Sequence, residues 1–300
     1  MKKKILIIGG TGFIGKHLAK KCASLNWKVT SVSSTKPIEK VSKVKYILCD
    51  ISKKKEIHTK ITKNYDYVVN LGGYVDHSKK QKTFKTHYIG LKNLSNYFLK
   101  SQINIFLQMG SSLEYGDNKS PQKENMSTSP NKLKSVYAKS KLLATNHLIK
   151  LNKTHNFPTS ILRLYLAYGP KQDYNRFLPI IIDSCLKNNS FDCSDGNQFR
   201  DFIFINDLID LIIKALKNPN SIGQILNAGS GKKQKIKNII KMVVKIIKGG
   251  KPNFGKIKLR KDESKEVYPS ISKSKKLLLW KPKHNFKQGL LKTILYYKSL

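Results

Sequence analysis

A tyrosine and a lysine four residues apart, Tyr137 and Lys141, are the side chains in this sequence best suited to acid–base chemistry. On a helix, such a phenol and ammonium lie one above the other. The flanks predict that helix, because Ser135 is a suitable N-cap and apolar residues recur at helical spacing with no Pro or Gly before Pro158. An adjacent ammonium favours the phenolate, so the pair could move a proton. An exposed pair on an amphipathic helix would have the same spacing, so the choice depends on the rest of the chain.

A glycine-rich turn near the start of the chain predicts a cofactor for this pair. The apolar run from Lys4 to Ile8 is typical of a strand buried on both faces of a parallel sheet, and helical periodicity follows the turn directly. Between them, glycines at three-residue spacing permit a tight turn, close approach of a pyrophosphate and close helix packing. The helix N-terminus would supply amides to the phosphates. The predicted dinucleotide contacts are Gly9, Gly12, Phe13, Ile14 and Gly15.

The end of the second predicted strand, Lys28 to Val32, bears on the choice between NAD and NADP. An acidic residue there would hold the 2′-hydroxyl of NAD, but this sequence continues with serines, a threonine and a lysine. These residues suit a 2′-phosphate better than a carboxylate would. We therefore expect NADP or NAD as cofactor, with NADP slightly favoured, held in part by Ser33, Ser34 and Lys36.

The third and fourth predicted strands, 45–49 and 67–71, end in further candidates at the sheet edge where open parallel sheets bind ligands. Asp50 could accept a hydrogen bond from the adenine amino group, or could cap a helix predicted from Lys53 to Lys63. A pair of glycines after the fourth strand would let the nicotinamide half pass over the sheet. The predicted contacts at these two strand ends are Asp50, Ile51, Leu71, Gly72 and Gly73.

The order of the elements predicts an α/β fold. Strand and helix patterns alternate through residues 1–164, as in a doubly wound parallel sheet of the Rossmann type. Residues 165–300 show shorter elements and polar, arginine-bearing turns, so we predict mainly a smaller C-terminal substrate-binding lobe. A helix at about 206–217 is expected to return to the first domain. The cleft between the two parts is the expected active site.

Composition argues against several other classes of protein. The net charge of +40 suggests a nucleic-acid partner, but only four of the 58 basic residues are arginines and the 54 lysines are scattered, so nucleic-acid binding is not expected. The four cysteines form neither a CxxC pair nor a zinc spacing, which predicts free thiols and no metal site. The apolar run from Ile5 to Ile8 is too short for a signal peptide or a membrane span. We expect a cytoplasmic protein.

Taken together, the three-glycine turn, Ser111 after the fifth predicted strand and Tyr137-x-x-x-Lys141 resemble the extended short-chain dehydrogenase/reductase family, also named for NAD-dependent epimerases and dehydratases. Later segments resemble family landmarks in their usual order: Tyr168-Gly169-Pro170, residues 196–203, residues 226–231 and Trp280-Lys281-Pro282. The resemblance implies hydride transfer between a nicotinamide and C4 of a nucleoside-diphosphate sugar, in the synthesis of cell-surface polysaccharide precursors. It also implies a homodimer formed by the helices near 88–98 and 137–151.

The resemblance also implies residue roles. Tyr137 is the general acid/base, Lys141 lowers its pKa and binds the nicotinamide ribose, and Ser111 orients the sugar oxygen. Arg200 matches the position that contacts the substrate diphosphate, although a surface salt bridge with Asp201 would also explain it. Further predicted substrate contacts are Arg176 and Ser112.

Departures from the family pattern narrow the reaction. The 4,6-dehydratases have an Asp-Glu dyad where this chain has Ser112 and Leu113, and decarboxylases have a glutamate at the second position, so both reactions are disfavoured. Glu114, one residue later, is expected to point to the opposite face of an extended segment. A 4-epimerase or a 4-keto-6-deoxysugar reductase remains, and Leu166 and His87, both at usual asparagine positions, favour the reductase slightly. A regulatory or nucleic-acid-binding Rossmann protein, or a reductase of a non-nucleotide carbonyl compound, is the alternative.

Overall fold

The computed structural model describes residues 2–74, 76–259 and 263–300. The strands are β1 (Lys4–Ile8), β2 (Lys28–Ser33), β3 (Val44–Leu48), β4 (Tyr67–Asn70), β5 (Ile105–Ser111), β6 (Thr159–Leu164), β7 (Leu166–Tyr168), β8 (Ser190–Cys193), β9 (Phe199–Phe204), β10 (Ile225–Ala228), β11 (Lys233–Lys235), β12 (Lys251–Phe254) and β13 (Glu266–Val267). The helices are α1 (Phe13–Ser24), α2 (Lys54–Lys60), α3 (Lys80–Phe84), α4 (Gly90–Phe98), α5 (Val136–His155), α6 (Phe177–Leu186), α7 (Ile205–Lys217), α8 (Ile236–Ile247), α9 (Ser272–Leu278) and α10 (Phe286–Lys298).

A seven-stranded parallel sheet, in the order β10-β6-β5-β4-β1-β2-β3, forms the centre of the described residues. Strand side chains alternate between its two faces. Ile5 belongs to one apolar cluster together with Leu18 of α1 and Leu208 of α7. Leu6 belongs to a second cluster with Leu91 of α4 and, further along the chain, side chains of α5. Helices therefore cover both faces, which confirms the predicted doubly wound parallel sheet.

The chain beyond residue 164 returns to this sheet. Strand β10 pairs with β6, with Leu226 opposite Leu162, and α7 packs against α1 close to the predicted range of 206–217. The same part of the chain also forms smaller sheets, one with β9 between β11 and β13 and another that joins β8 to β12. Strand β10 was not foreseen as part of the main sheet, and the division at residue 164 stays a prediction.

Helices α3 and α4 belong to one helical stretch from 80 to 98, in which a π-helical turn at Lys85–Ile89 joins them without a break. One local prediction needs correction. Asp50 does not cap α2, because its carboxylate accepts the amide of Ser52 at 2.9 Å and the helix begins only at Lys54. An aspartate carboxylate that accepts the backbone amide two residues later forms a turn of its own, so it is not available to cap the following helix. Within the described ranges, no helix is both long and apolar enough to cross a membrane.

Candidate functional site

A cleft of about 1450 Å³ opens at the carboxyl ends of the sheet strands. Its walls come from the loops after β1 to β6 and from segments beyond residue 164. The residues predicted from sequence that line it are Gly9, Gly12, Phe13, Ile14, Gly15, Ser33, Ser34, Asp50, Ile51, Leu71, Gly72, Gly73, Ser111, Ser112, Tyr137, Lys141, Arg176 and Arg200. Lys36 is exposed and is not part of the lining.

The glycine turn fits the phosphates of a dinucleotide. Gly9 has a φ of 76°, and a Cβ on Gly15 would lie only 2.2 Å from the carbonyl oxygen of Gly9, so both positions need glycine for the turn itself. A Cβ on Gly12 would meet that oxygen at an ordinary 3.5 Å, which leaves its other side facing the cleft. Helix α1 starts at Phe13 without a capping side chain, so its first amides point at the place a phosphate would take.

Polar side chains line the part of the cleft after β2, where the sequence predicts the adenosine. The hydroxyl of Ser33 donates to the carbonyl of Thr35 at 2.6 Å, which shapes the loop after β2. Lys53 also lines this end and pairs with Glu56 at 3.2 Å. Sequence inspection missed Lys53 because its own stretch is rich in lysine. The lysine lining this end is thus Lys53, whereas Lys36 lies outside the cleft.

Tyr137 and Lys141 lie on the face of α5 that lines the cleft, and Ser135 caps that helix by accepting the amide of Ala138 at 3.1 Å. The ammonium of Lys141 lies 5.8 Å from the centre of the Tyr137 ring and donates to the carbonyl of Met109 at 2.8 Å. Burial lowers the pKa of Lys141 to about 8. Burial raises the pKa of Tyr137 to about 12, against the effect of the nearby Ser111 hydroxyl. In this state the phenol holds its proton at neutral pH.

Two histidines frame the Tyr137 ring. His77 stacks on it with ring centres 4.0 Å apart, and His87 meets it edge to face at 4.9 Å. Burial lowers the pKa of His87 to about 2, so this imidazole is neutral, and its Nε2 lies 3.3 Å from the carbonyl oxygen of Tyr74. A Cβ on Gly73 would lie 2.2 Å from the His87 ring. Gly73 therefore makes room for the His87 imidazole, which the sequence alone could not show. The sequence also gave no signal for the contact of His77 with Tyr137.

The two arginines reach the cleft from different segments. The guanidinium of Arg200 donates to the Phe199 carbonyl at 2.8 Å and pairs with Glu263. The alternative salt bridge with Asp201 is wrong, because neighbouring residues on a strand face opposite ways, and Asp201 accepts the amide of Ser230 at 2.7 Å instead. Arg176 precedes α6, and its charge lowers the pKa of Tyr137, against the larger effect of burial. Of the two, Arg176 is thus the one whose charge acts on the Tyr137 phenol.

Two exposed leucines add to the apolar surface of the cleft. Leu113 and Leu166 are 49% and 45% exposed, and both line the cleft. Ser111 of β5 lies opposite Leu164 of β6 in the sheet. Leu113 and Leu166 each follow one of these paired residues by two positions. Large apolar side chains that remain accessible in a cleft are suited to contact an apolar part of a ligand.

The cleft therefore combines the glycine turn, the Tyr137–Lys141 pair and two arginines. A sequence profile of the "NAD dependent epimerase/dehydratase family" matches residues 5–229. A protein of Methanocaldococcus jannaschii described as a putative UDP-glucose 4-epimerase is 27% identical over 309 residues, which cover 98% of each chain. Relatives of comparable identity include sugar-nucleotide decarboxylases and 4,6-dehydratases.

Solved structures agree with the sequence comparison. The UDP-glucuronic acid 4-epimerase of Bacillus cereus, solved with UDP-glucuronic acid and NAD, matches with a TM-score of 0.87 at 26% identity, over 99% of each chain. The UDP-glucose 4-epimerase of Thermotoga maritima, solved with UDP-glucose, has the same fold with a TM-score of 0.90 at 22% identity, also over 99% of each chain. Because the profile match runs from β1 past α5, it includes both the glycine turn and the Tyr137–Lys141 pair. The resemblance seen in the sequence is confirmed: this chain belongs to the NAD-dependent epimerase/dehydratase family.

Proposed function

We propose that this enzyme transfers hydride between NAD(P) and C4 of a nucleoside-diphosphate sugar, as a 4-epimerase or as a 4-keto-6-deoxysugar reductase that serves cell-surface polysaccharide synthesis. The observation that carries the proposal is the position of Ser111, Tyr137 and Lys141 in one cleft with the glycine turn. The nicotinamide, when bound, accepts or supplies the hydride. The residues of the chain hold the substrate and move the proton.

Tyr137 is the proton donor and acceptor in this proposal. Its pKa of about 12 keeps the phenol protonated at neutral pH, which suits donation to a C4 carbonyl oxygen during reduction. The opposite direction needs a phenolate, which the positive charge of Arg176 and a protonated Lys141 would favour. The hydroxyl of Ser111 would hold the sugar oxygen beside the phenol.

A substrate diphosphate suits the two arginines that line the cleft. Guanidinium groups bind phosphate oxygens in a bidentate manner, and Arg176 and Arg200 both line the cleft. The similar proteins named above are described with UDP-sugars, which supports a nucleoside diphosphate as the carrier of the sugar here.

Leu113 and Leu166 favour the reductase as the more specific form of the proposal. In this proposal C6 of the sugar lies beside these two side chains, where a hexose would place a hydroxyl and a 6-deoxysugar a methyl group. The exposed leucines therefore support a 4-keto-6-deoxy substrate. The serines after β2 and Lys53 support NADPH as the reductant, although family members with NAD are known from the comparison.

The assay that separates the two reactions follows the cofactor. Purified protein with NADPH or NADH and 4-keto-6-deoxy nucleotide sugars should oxidise the cofactor stoichiometrically if it is a reductase. Interconversion of C4 epimers without net cofactor consumption would identify the epimerase. Tyr137→Phe should abolish either turnover and leave cofactor binding intact, and full activity in that variant would contradict the proposal.

The alternatives predict different results. For a non-nucleotide carbonyl substrate, Arg200→Leu should change KM little, whereas a sugar nucleotide should bind the variant at least about 10-fold more weakly, as expected for loss of a charged hydrogen bond. For a nucleic-acid-binding protein, affinity at physiological salt should exceed the non-specific level of roughly 10⁻⁴ to 10⁻⁶ M and compete with NAD(P).

We also propose a cytoplasmic homodimer that associates through α4 and α5. The four cysteines are free thiols, in keeping with a reducing compartment. Light scattering of the purified protein gives the oligomeric state, and a monomer over a range of concentrations would exclude the dimer.

A further inference from the structure

Glu114 is a fully buried carboxylate directly behind Ser111. It lies in a 3₁₀ turn, Ser112–Tyr115, that follows β5. Its Oε1 accepts the backbone amide of Ser111 at 2.7 Å, while the Ser111 hydroxyl accepts the amide of Leu113 at 3.2 Å. These reciprocal bonds form a capping box. As expected, Glu114 is not part of the cleft lining. The expected reason, an extended segment, is wrong, because residues 112–115 form a 3₁₀ turn.

The second oxygen of the Glu114 carboxylate connects two more elements of the site. It accepts the hydroxyl of Thr145 at 2.8 Å and the Nε of Arg163 at 2.9 Å. Thr145 lies on α5 one turn after Lys141, on the same face of the helix. One carboxylate therefore ties the end of β5 to β6 and to the helix that carries the acid–base pair.

The surroundings of Glu114 are built around its charge. A Cβ on Gly110 would lie 2.5 Å from its Oε1, so only glycine leaves room for the carboxylate. The Arg163 guanidinium stacks 4.4 Å from the Tyr115 ring centre, and its Nη1 is buried with no hydrogen-bond partner among the described residues. Buried ion pairs generally add little stability over apolar residues of similar volume. Because one guanidinium nitrogen of Arg163 lacks a partner among the described residues, the Glu114–Arg163 ion pair is weak evidence that Glu114 serves stability, and it points to a role of Glu114 in function.

We propose that Glu114 is a positioning residue, which fixes Ser111 relative to the Tyr137–Lys141 helix and places one negative charge behind that pair. The role rests on the acid–base function proposed above. Other titratable or charged groups also surround the pair. The positive charge of Arg176, from the loop before α6, acts on Tyr137. Lys141 acts on two imidazoles, that of His77 in the loop after β4 and that of His87 in the π-helical turn.

The charge of Glu114 opposes the effect of burial on Lys141. Burial lowers the pKa of Lys141, and Glu114 raises it, so the carboxylate helps to keep the ammonium at neutral pH. The same charge raises the pKa of Tyr137 and so helps to keep the phenol protonated. Without Glu114, Lys141 would lose its proton at a lower pH.

The test is Glu114→Gln, which keeps an oxygen for the Ser111 amide and removes the charge. The readout is the pH dependence of cofactor affinity in a fluorescence titration, which needs no sugar substrate. In the wild type, affinity should fall as pH rises through about 8, where Lys141 loses its proton, and Lys141→Met should abolish this dependence. Glu114→Gln should move the midpoint down by about one pH unit, the lower end of the effect of a nearby charge.

Thr145→Val is the matched control, because it removes one hydrogen bond to the carboxylate and keeps the charge. It should leave the midpoint in place. Where a sugar substrate is in hand, Glu114→Gln should also lower kcat by about 10- to 100-fold at a nearly unchanged KM, as displaced catalytic groups do.

An unshifted midpoint in folded Glu114→Gln would overturn the role of the charge, and an unchanged kcat would overturn the role in placing Ser111. If the single variant does not fold, Glu114→Gln combined with Arg163→Met removes the unpaired arginine, and the same downward shift is expected. Failure of the proposed sugar chemistry would leave the cofactor titration unaffected, so the two failures are distinguishable.

Discussion

Replacing Lys141 with methionine should make this protein more stable and inactive. Lys141 is 5% exposed, and burial lowers its pKa to about 8 from an ordinary value of 10.5. Its ammonium keeps one hydrogen bond, to the Met109 carbonyl at 2.8 Å. Methionine has a similar length and flexibility and no charge to bury. The substitution therefore removes an unfavourable term from the folded state.

The size of this effect follows from the two pKa values. A pKa of about 8 in the folded state against 10.5 in the unfolded state means that Lys141 costs the wild type about 3 kcal/mol of stability at neutral pH. The variant escapes this cost but loses the hydrogen bond to the Met109 carbonyl, which contributes about 1 kcal/mol. The net gain for Lys141→Met is about 2 kcal/mol. Between these pKa values the unfolded chain binds more protons than the folded one, so wild-type stability rises with pH there. The advantage of the variant should shrink over the same range.

Urea unfolding at several pH values between about 7 and 10 measures the difference, because the other titrating groups are common to both proteins. Lys139→Met on the same helix is the control, since Lys139 is only half-buried and should show no such pH-dependent gap. Turnover of Lys141→Met should fall by at least about 100-fold, as for loss of a group that supports proton transfer. A variant less stable than the wild type at neutral pH, or a gap that is constant with pH, would refute the reasoning.

Three further predictions concern other parts of the site. Gly12→Val should weaken NAD(P) binding at least about 10-fold with a small change in melting temperature, because its Cβ would meet only the Gly9 carbonyl oxygen, at 3.5 Å, and its methyl groups would extend into the predicted phosphate site; equal cofactor affinity in calorimetry would contradict the predicted site. Gly73→Ala should destabilise the protein by about 1–3 kcal/mol through overpacking against His87, and His87→Ser should relieve the loss in urea unfolding; an additive double variant would argue against that contact. Arg176→Leu removes a charge that lowers the pKa of Tyr137, so the acidic limb of the oxidative pH–rate profile should move to higher pH, and an unmoved limb would place Arg176 too far from the phenol.

Local features of the sequence were predictable because they depend on residues close together in the chain. The buried strand before the glycine turn, the cap at Ser135 and the four-residue spacing of Tyr137 and Lys141 are set by backbone geometry within one or two turns. The alternation of strands and helices likewise predicted the doubly wound sheet. Similarity to a family then added expectations for Ser111 and Arg200 that spacing alone could not supply.

Choices between local and distant partners were not predictable from the sequence. Asp50 bonds Ser52 within its own loop, whereas Arg200 pairs with Glu263, a residue 63 positions away, and not with its neighbour Asp201. Lys36 lies outside the cleft although its type suited a phosphate. Which of several chemically suitable partners a charged side chain meets depends on where packing places the backbone.

The sequence by itself determined two separate features, a phenol and an ammonium on one helical face and a glycine turn between a buried strand and a helix, because each of these relations is local. Only the tertiary structure decided what surrounds the phenol. Two imidazoles from the segments after β4 lie against Tyr137, and Glu114 joins β5, α5 and β6 behind Ser111. These contacts join residues up to 60 positions apart, from Tyr137 back to His77, and they form because the packed core leaves each buried polar group few partners within reach.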